Sequence, residues 1–96
     1  MKFTKMEAAG NDFVIFNGIE YNIKNYENLA IKACDRHFSV GADGILICEE
    51  SKIADIKMTY YNSDGSQGEM CGNGIRCFSK YAYEEGLVKD KVFTVE

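Results

Sequence analysis

Apolar residues recur along this chain with two different periods, and each period predicts a different kind of element. Residues 13–16 and 45–48 are continuous apolar runs, the pattern of buried strands. Residues 55–62 instead alternate between apolar and polar positions, as strands with two unlike faces do. Together with shorter apolar stretches near both ends of the sequence, these patterns predict strands at about residues 1–7, 12–17, 44–49, 55–62 and 92–96.

Apolar side chains at helical spacing predict two helices. The first spans about residues 26–38 and the second about residues 73–85, with Gly86 placed to end the second one. Residues 62–68 hold only polar residues and glycine, which predicts a loop before the second helix. The core faces are expected to hold Tyr26, Leu29, Ala30, Ala33, Cys34 and His37 in the first helix and Ile75, Phe78 and Ala82 in the second.

The predicted order of elements is β-β-α-β-β-α-β. Both helices connect strands, but neighbouring strands are spaced as hairpin-like pairs, which favours a mixed or antiparallel sheet over a doubly wound one. The fold class indicated by the pattern is therefore α+β. The 96 residues contain no linker, low-complexity stretch or internal repeat, and they fit one small domain.

The charge balance limits the classes of partner. Lysines and arginines number 11 and acidic residues 15, so the formal net charge is −4, which disfavours binding to nucleic acid or to an anionic membrane. The first residues lead into no apolar run of the length of a signal peptide. No segment approaches the roughly 20 apolar residues of a membrane span. The expected compartment is the cytoplasm.

Cysteine supplies the candidate chemistry. Four cysteines and one histidine occur without any CxxC pair, which argues against structural zinc, and a reducing cytoplasm argues against structural disulfides. Cys71 immediately precedes the second predicted helix, whose N-terminus favours a thiolate. The residues alone leave open the alternative of a buried cysteine beside a glycine-rich helix start. Cys34, Cys48 and Cys77 fall on apolar faces and are expected to be core thiols.

Polar residues around this cysteine could bind a ligand. Gly72 leaves the N–H groups at the helix start open to a carboxylate, and Asn73 follows it. Asn11 and Asn62 lie at predicted turns, where asparagine is common for structural reasons alone. Together with Cys71 they could line a pocket for a zwitterion. Other polar residues are expected to have core or surface roles, His37 at the core or its edge and Glu49, Glu50, Glu84 and Glu85 at the solvated surface.

Four sequence blocks, in order and with consistent spacing, resemble the diaminopimelate epimerase family. The match runs through most of the chain, and four blocks are far more specific than a single CGNG motif. The blocks are Lys5-Met6 with Gly10-Asn11-Asp12-Phe13, Cys34 to Phe38 with Val40 to Gly44, Tyr61 to Ser66, and Met70 to Phe78.

The resemblance implies an enzyme that interconverts LL- and meso-diaminopimelate in lysine and cell-wall precursor synthesis, without pyridoxal phosphate or metal. Cys71 would be one of two acid/base cysteines, because inversion removes a proton from one face of a carbon and returns one to the other. Gly72 and Asn73 would bind the substrate carboxylate. Asn11 and Asn62 would contact the substrate.

The resemblance also implies a fold of two similar α+β domains facing each other across a cleft, each with a mixed or antiparallel sheet wrapped around a central helix. Residues 1–96 would be the N-terminal domain without its closing strand, and the second cysteine would come from the missing C-terminal domain. The chain alone is expected to be inactive and to self-associate through an open sheet edge, with the strand at about residues 92–96 as the expected participant. Some family members carry glutamine where this chain has Gly44, which puts a side-chain contact there in question.

Two other functions stay open at this point. A two-thiol racemase of the proline racemase type also carries a CGxG motif, although the GNDF and NSDGS blocks favour the epimerase. A non-catalytic domain that folds or self-associates, with Cys71 as a redox or structural thiol, is the alternative from a different class.

Overall fold

The computed structural model describes residues 2–37, 39–69, 72–90 and 94–96, and within them four strands form one mixed sheet. The order is β1-β2-β3-β4, with β2 and β3 parallel and the two outer pairs antiparallel. This arrangement confirms the predicted α+β class and the mixed sheet. The elements are β1 (Phe3–Ala8), β2 (Asn11–Asn17), α1 (Tyr26–Ala33), β3 (Gly44–Glu49), β4 (Lys57–Asn62) and α2 (Gly72–Glu84).

A two-residue turn joins β1 to β2 and fixes where β2 begins. Ala9 and Gly10 both have positive φ, 50° and 88°, the combination that a type I′ hairpin turn requires. Asn11 therefore lies directly opposite Ala8, at one end of the sheet. The turn thus sets the position of one predicted site residue.

The sheet is covered on both faces, which explains the continuous apolar runs of its two central strands. On one face, Phe13 and Leu46 pack with Phe78 and Ala82 of α2. On the other face, Val14 and Ile45 pack with Ala30 and Ala33 of α1. Phe78 and Ala82 are fully buried as predicted, whereas Ile75 is only half-buried.

Helix α1 ends earlier than the periodicity predicts. It stops at Ala33, whose carbonyl accepts from the N–H of Gly41 at 2.9 Å, and the Asp35 carboxylate accepts from the N–H of His37 at 2.8 Å. These bonds replace the ones that would continue the helix. The prediction for His37 is wrong, because this residue lies beyond the helix and is exposed. Cys34, at the C-cap, is buried as predicted.

The predicted surface position of Glu49 is also wrong. Its carboxylate accepts from the Tyr26 hydroxyl at 3.0 Å and from the Thr59 hydroxyl, so it ties α1 to two neighbouring strands. Burial and this carboxylate raise the pKa of Tyr26 to about 12. A pattern of local polarity gives no sign of such a partner.

The C-terminal segment lies beside β4. Gly86 has a φ of 72° and follows the end of α2 as predicted. Val95 forms a parallel bridge with Ile56, and the N–H of Glu96 donates to the Ile56 carbonyl at 2.8 Å. The predicted strand at 92–96 is therefore described only over residues 94–96, because Val92 and Phe93 lie outside the described residues.

Neither helix in the described part of the chain is long and apolar enough to cross a membrane.

Candidate functional site

Three of the predicted site residues lie at one end of the sheet. Asn11 begins β2 and Asn62 ends β4, where it pairs with Gly44 at the start of β3. Since β2 and β3 are parallel and β4 is antiparallel to them, these termini share one end of the sheet. Asn73, near the start of α2, reaches the same end through its contact with Asn11.

A hydrogen bond between two asparagines joins the start of α2 to the start of β2. The Asn73 Nδ2 donates to the Asn11 Oδ1 at 3.0 Å. On its other side, the Asn73 Oδ1 accepts from Arg76, three residues further along the helix, at 2.5 Å. Asn11 and Asn73 are both half-buried, so their amides contact protein groups as well as solvent.

A cluster of opposite charges supports Asn11 from the side of the sheet. Arg36 donates to both carboxylate oxygens of Asp12, at 3.1 and 3.0 Å, and to Asp43 at 3.2 Å. The N–H groups of Asp12 and Asp43 each donate to the other residue's carboxylate, at 3.0 and 2.9 Å. Lys5 adds a further cation 3.4 Å from Asp12. The cluster binds β1, β2 and the segment before β3 together at the site.

The same cluster sets the charge state of Asp12. Hydrogen bonds from the Arg36 guanidinium and from the Asp43 N–H hold the pKa of the Asp12 carboxyl well below its ordinary value, and they outweigh the opposing effect of burial. The pKa of Arg36 is raised by the same carboxylate. Asp12 and Arg36 therefore both carry their charges at neutral pH.

Asn62 is positioned by its own turn. Its Nδ2 donates to the Ser66 hydroxyl at 3.1 Å, and its N–H donates to the Ser66 carbonyl at 2.8 Å. The next N–H, of Ser63, donates to the Asp43 carbonyl at 3.2 Å, which anchors the turn to the charge cluster. Asn62 thus shares the end of the sheet with Asn11 and Asn73 while bonding within its own turn.

The start of α2 is open. Gly72 is exposed, and a Cβ placed on it would have no heavy atom within 4 Å. The first turn carries no acidic side chain to compete for its N–H groups. Cys71, the predicted acid/base thiol, lies outside the described residues, as does Met70. On α2, the described part of the site therefore begins at Gly72, the residue that follows this cysteine.

The three other thiols are core residues, as predicted. Cys34, Cys48 and Cys77 are buried and unbridged. Burial raises the pKa of Cys34 and of Cys48 to about 11. A thiol with such a pKa is almost entirely protonated at neutral pH, so it supplies little thiolate to act as a base.

Gly44 is closed to side chains. A Cβ at this position would lie 2.5 Å from the Tyr60 Cε1 and 2.8 Å from the Tyr61 carbonyl oxygen. The second contact is with backbone, so rotation of the Tyr60 ring alone would not make room. A side chain such as glutamine does not fit here without a shift of β4.

A surface pocket lies at the opposite end of the sheet, among Phe3, Asn17, Tyr81 and Glu85. None of the predicted site residues lines it. Within the described parts of the chain, no three His, Cys, Asp or Glu side chains are grouped so that they could hold a metal ion.

Four residues of the site were not identified as candidates from the sequence: Asp12, Arg36, Asp43 and Arg76. The three-residue spacing of Asn73 and Arg76 on one helix is a signal that could have pointed to Arg76. Nothing in the local sequence pattern places Arg36 against Asp12, 24 positions away.

Comparisons with known proteins find similar sequences over nearly the whole chain. The family model for diaminopimelate epimerase matches residues 3–96. Diaminopimelate epimerases from Caldanaerobacter subterraneus subsp. tengcongensis and Alkaliphilus metalliredigens are 56% and 54% identical over 96 and 97 residues, covering 100% of this chain and 34% of each relative. The chain thus spans about a third of the length of these relatives.

A crystal structure of a PhzF-family phenazine biosynthesis protein from Bacillus anthracis has the same fold. It superposes with a TM-score of 0.72 over 98% of this chain and 30% of its own, at 23% identity. At that identity the likeness concerns the fold alone.

Proposed function

This chain belongs to the diaminopimelate epimerase family, and we propose that it supplies one half of the active site of an enzyme that interconverts LL- and meso-diaminopimelate. The observation that carries the proposal is the hydrogen bond from Asn73 to Asn11, beside the open start of α2. It brings together two predicted substrate residues that are 62 positions apart in the sequence.

The start of α2 is the proposed binding site for a substrate carboxylate. The first N–H groups of a helix have no partner within the helix, and the helix dipole places about half a positive charge there. Gly72 lets an anion approach these groups closely. The amides of Asn73 and Asn11 offer further N–H donors, and Asn62 contacts the substrate from the neighbouring turn.

Cys71 is the proposed acid/base group on one face of the α-carbon. In sequence it directly precedes the helix start, where a thiolate is favoured. One thiolate removes the α-proton while a thiol on the opposite face returns one, and the roles exchange in the reverse direction. Hydrogen bonds to the carboxylate stabilise the charge that develops as the proton leaves.

The second thiol must come from outside these 96 residues. Cys34, Cys48 and Cys77 are buried in the core, and two of them have a raised pKa. We therefore propose that residues 1–96 form the N-terminal domain of a two-domain enzyme, whose second domain supplies the other cysteine and closes the cleft.

A chimaera tests the proposal. The matching 96-residue segment of the Caldanaerobacter relative is replaced by this chain, and epimerisation of LL-diaminopimelate is measured. We expect activity in this chimaera, loss of activity to background on Cys71→Ala, and retained activity on Cys34→Ala, the matched control. A folded but inactive chimaera beside an active relative, or an active Cys71→Ala variant, would contradict the proposal.

A further inference from the structure

We propose that Arg76 and Asp43 are positioning residues, which orient the amides of Asn73 and Asn11 so that both turn N–H donors towards a carboxylate. The four side chains form a continuous row from a cation to an anion. The inference rests on the proposed function, because it concerns how the same site selects its ligand.

Arg76 fixes the first amide. A guanidinium is a donor without acceptor capacity, so the group of Asn73 that faces it must be the oxygen, and the two atoms are 2.5 Å apart. The Asn73 Nδ2 then faces Asn11, whose oxygen accepts from it at 3.0 Å. The orientation of one amide is thereby passed on to the next.

Asp43 fixes the other end of the row. The Asn11 Nδ2 lies 3.5 Å from the Asp43 Oδ2, and an ionised carboxylate accepts hydrogen bonds without donating any. Asp43 is held in turn by the Asp12 N–H at 3.0 Å and by Arg36 at 3.2 Å. A flipped Asn11 would place its oxygen against this carboxylate, which is unfavourable.

The row decides what the site presents to a ligand. Both amide oxygens already accept a hydrogen bond from a protein donor, whereas each Nδ2 carries a second hydrogen beyond the one it uses in the row. The two amides therefore offer donors to a ligand. This pattern suits a carboxylate and disfavours a group that is itself a donor, such as a carboxamide NH₂.

The kinetic test uses the chimaera with three substitutions on α2. Arg76→Met removes the donor, Arg76→Lys keeps a cation that only donates, and Lys80→Met removes a cation one turn away as the matched control. We expect kcat/KM to fall about tenfold in Arg76→Met, the loss of one charge-assisted hydrogen bond, and to change less than about twofold in Lys80→Met. Arg76→Lys should recover most of the loss.

The same design applies to the anionic end. Asp43→Asn gives this position an amide that can also donate, so it no longer orients Asn11, and Asp90→Asn, an exposed carboxylate beyond the C-terminal end of α2, is its control. We expect kcat/KM to fall in Asp43→Asn by about tenfold and to stay within about twofold in Asp90→Asn. Melting temperatures of the variants show whether a loss of kcat/KM comes from a less stable fold.

A spectroscopic readout separates orientation from activity. In the 96-residue chain, the side-chain ¹⁵N–¹H resonances of Asn73 and Asn11 should both shift in Arg76→Met, while those of Asn62 should not. Unchanged Asn73 and Asn11 resonances, or equal losses of kcat/KM in Arg76→Met and Lys80→Met, would overturn the inference. An inactive parent chimaera would contradict the proposed function, and the resonances would then decide the orienting role by themselves.

Discussion

The side chains of Asn73 and Asn11 are joined by a hydrogen bond of 3.0 Å, although 62 positions separate them in the sequence. The bond links the first turn of α2 to the strand that leaves the Ala9-Gly10 turn. It makes the geometry of the proposed carboxylate site depend on how the helix packs against the sheet. Substitutions at this contact should therefore affect binding more than they affect the fold.

Asn73→Ala and Asn62→Ala are expected to weaken substrate binding in the chimaera more than they lower its melting temperature. A buried polar partner of a charged group is worth roughly 1.5–3 kcal/mol, or about ten- to a hundredfold in affinity. Ser66→Ala is the control for Asn62→Ala, because it removes the hydrogen-bond partner of the Asn62 amide within the turn and leaves the amide itself in place. A large drop in melting temperature with unchanged affinity would mean that these asparagines only stabilise turns.

Cys71 is expected to be the most reactive of the four thiols. Cys34, Cys48 and Cys77 are buried, and a pKa of about 11 keeps the first two protonated at neutral pH. Alkylation by iodoacetamide between pH 6 and about 9, followed by peptide mapping, should modify Cys71 first. The other three should react at comparable rates only in denaturant. Faster modification of any of these three in the folded chain would contradict the assignment.

The Asp12–Arg36 pair should make stability depend on acid pH. The pKa of Asp12 is lower in the folded chain than its ordinary value of 3.8, so its stabilising contribution is complete above that value. The contribution is lost as the pH falls below 3.8 towards the folded-state pKa. Arg36→Met should therefore be less stable than the parent at pH 7, and the difference should shrink in acid. A difference that is constant from pH 7 to about 2 would exclude this linkage.

Gly44→Ala is expected to destabilise the fold by about 1–3 kcal/mol, because the added methyl group would overlap Tyr60 and the Tyr61 backbone. Gly72→Ala is the matched control, since its added Cβ would meet nothing within 4 Å. Chemical denaturation measures both variants. Equal stability of the two would show that β4 moves freely enough to admit a side chain at position 44.

The 96-residue chain alone is expected to be inactive towards LL-diaminopimelate, because its other three cysteines are buried in the core. It is also expected to self-associate through an open sheet edge, with the strand at about residues 92–96 as the expected participant; in the described residues β1 is an edge strand of the sheet. Residues 94–96 already pair with Ile56 on the side of β4. Net inversion above background would contradict the expected inactivity. A monomer at every concentration in sedimentation would contradict the expected self-association.

Sequence patterns were sufficient for most of the elements. The bounds of β3 agree with the predicted residues 44–49, and α2 lies within one residue of its predicted ends. Local features determine these elements: a continuous apolar run, a helical period, and a glycine such as Gly86 at a helix end. The same patterns placed Cys34, Cys48 and Cys77 in the core correctly. The role of Cys71 stays a prediction from the sequence, because this residue lies outside the described residues.

The sequence by itself therefore determined which segments are strands and helices, and which thiols are buried. Tertiary structure alone decided that α1 stops at Ala33, that Glu49 accepts hydrogen bonds from Tyr26 and Thr59, and that Asn73 meets Asn11. The physical reason is the range of the interactions. Periodicity and turn preferences act between residues a few positions apart, whereas a hydrogen bond between distant side chains exists only after packing has brought their elements together.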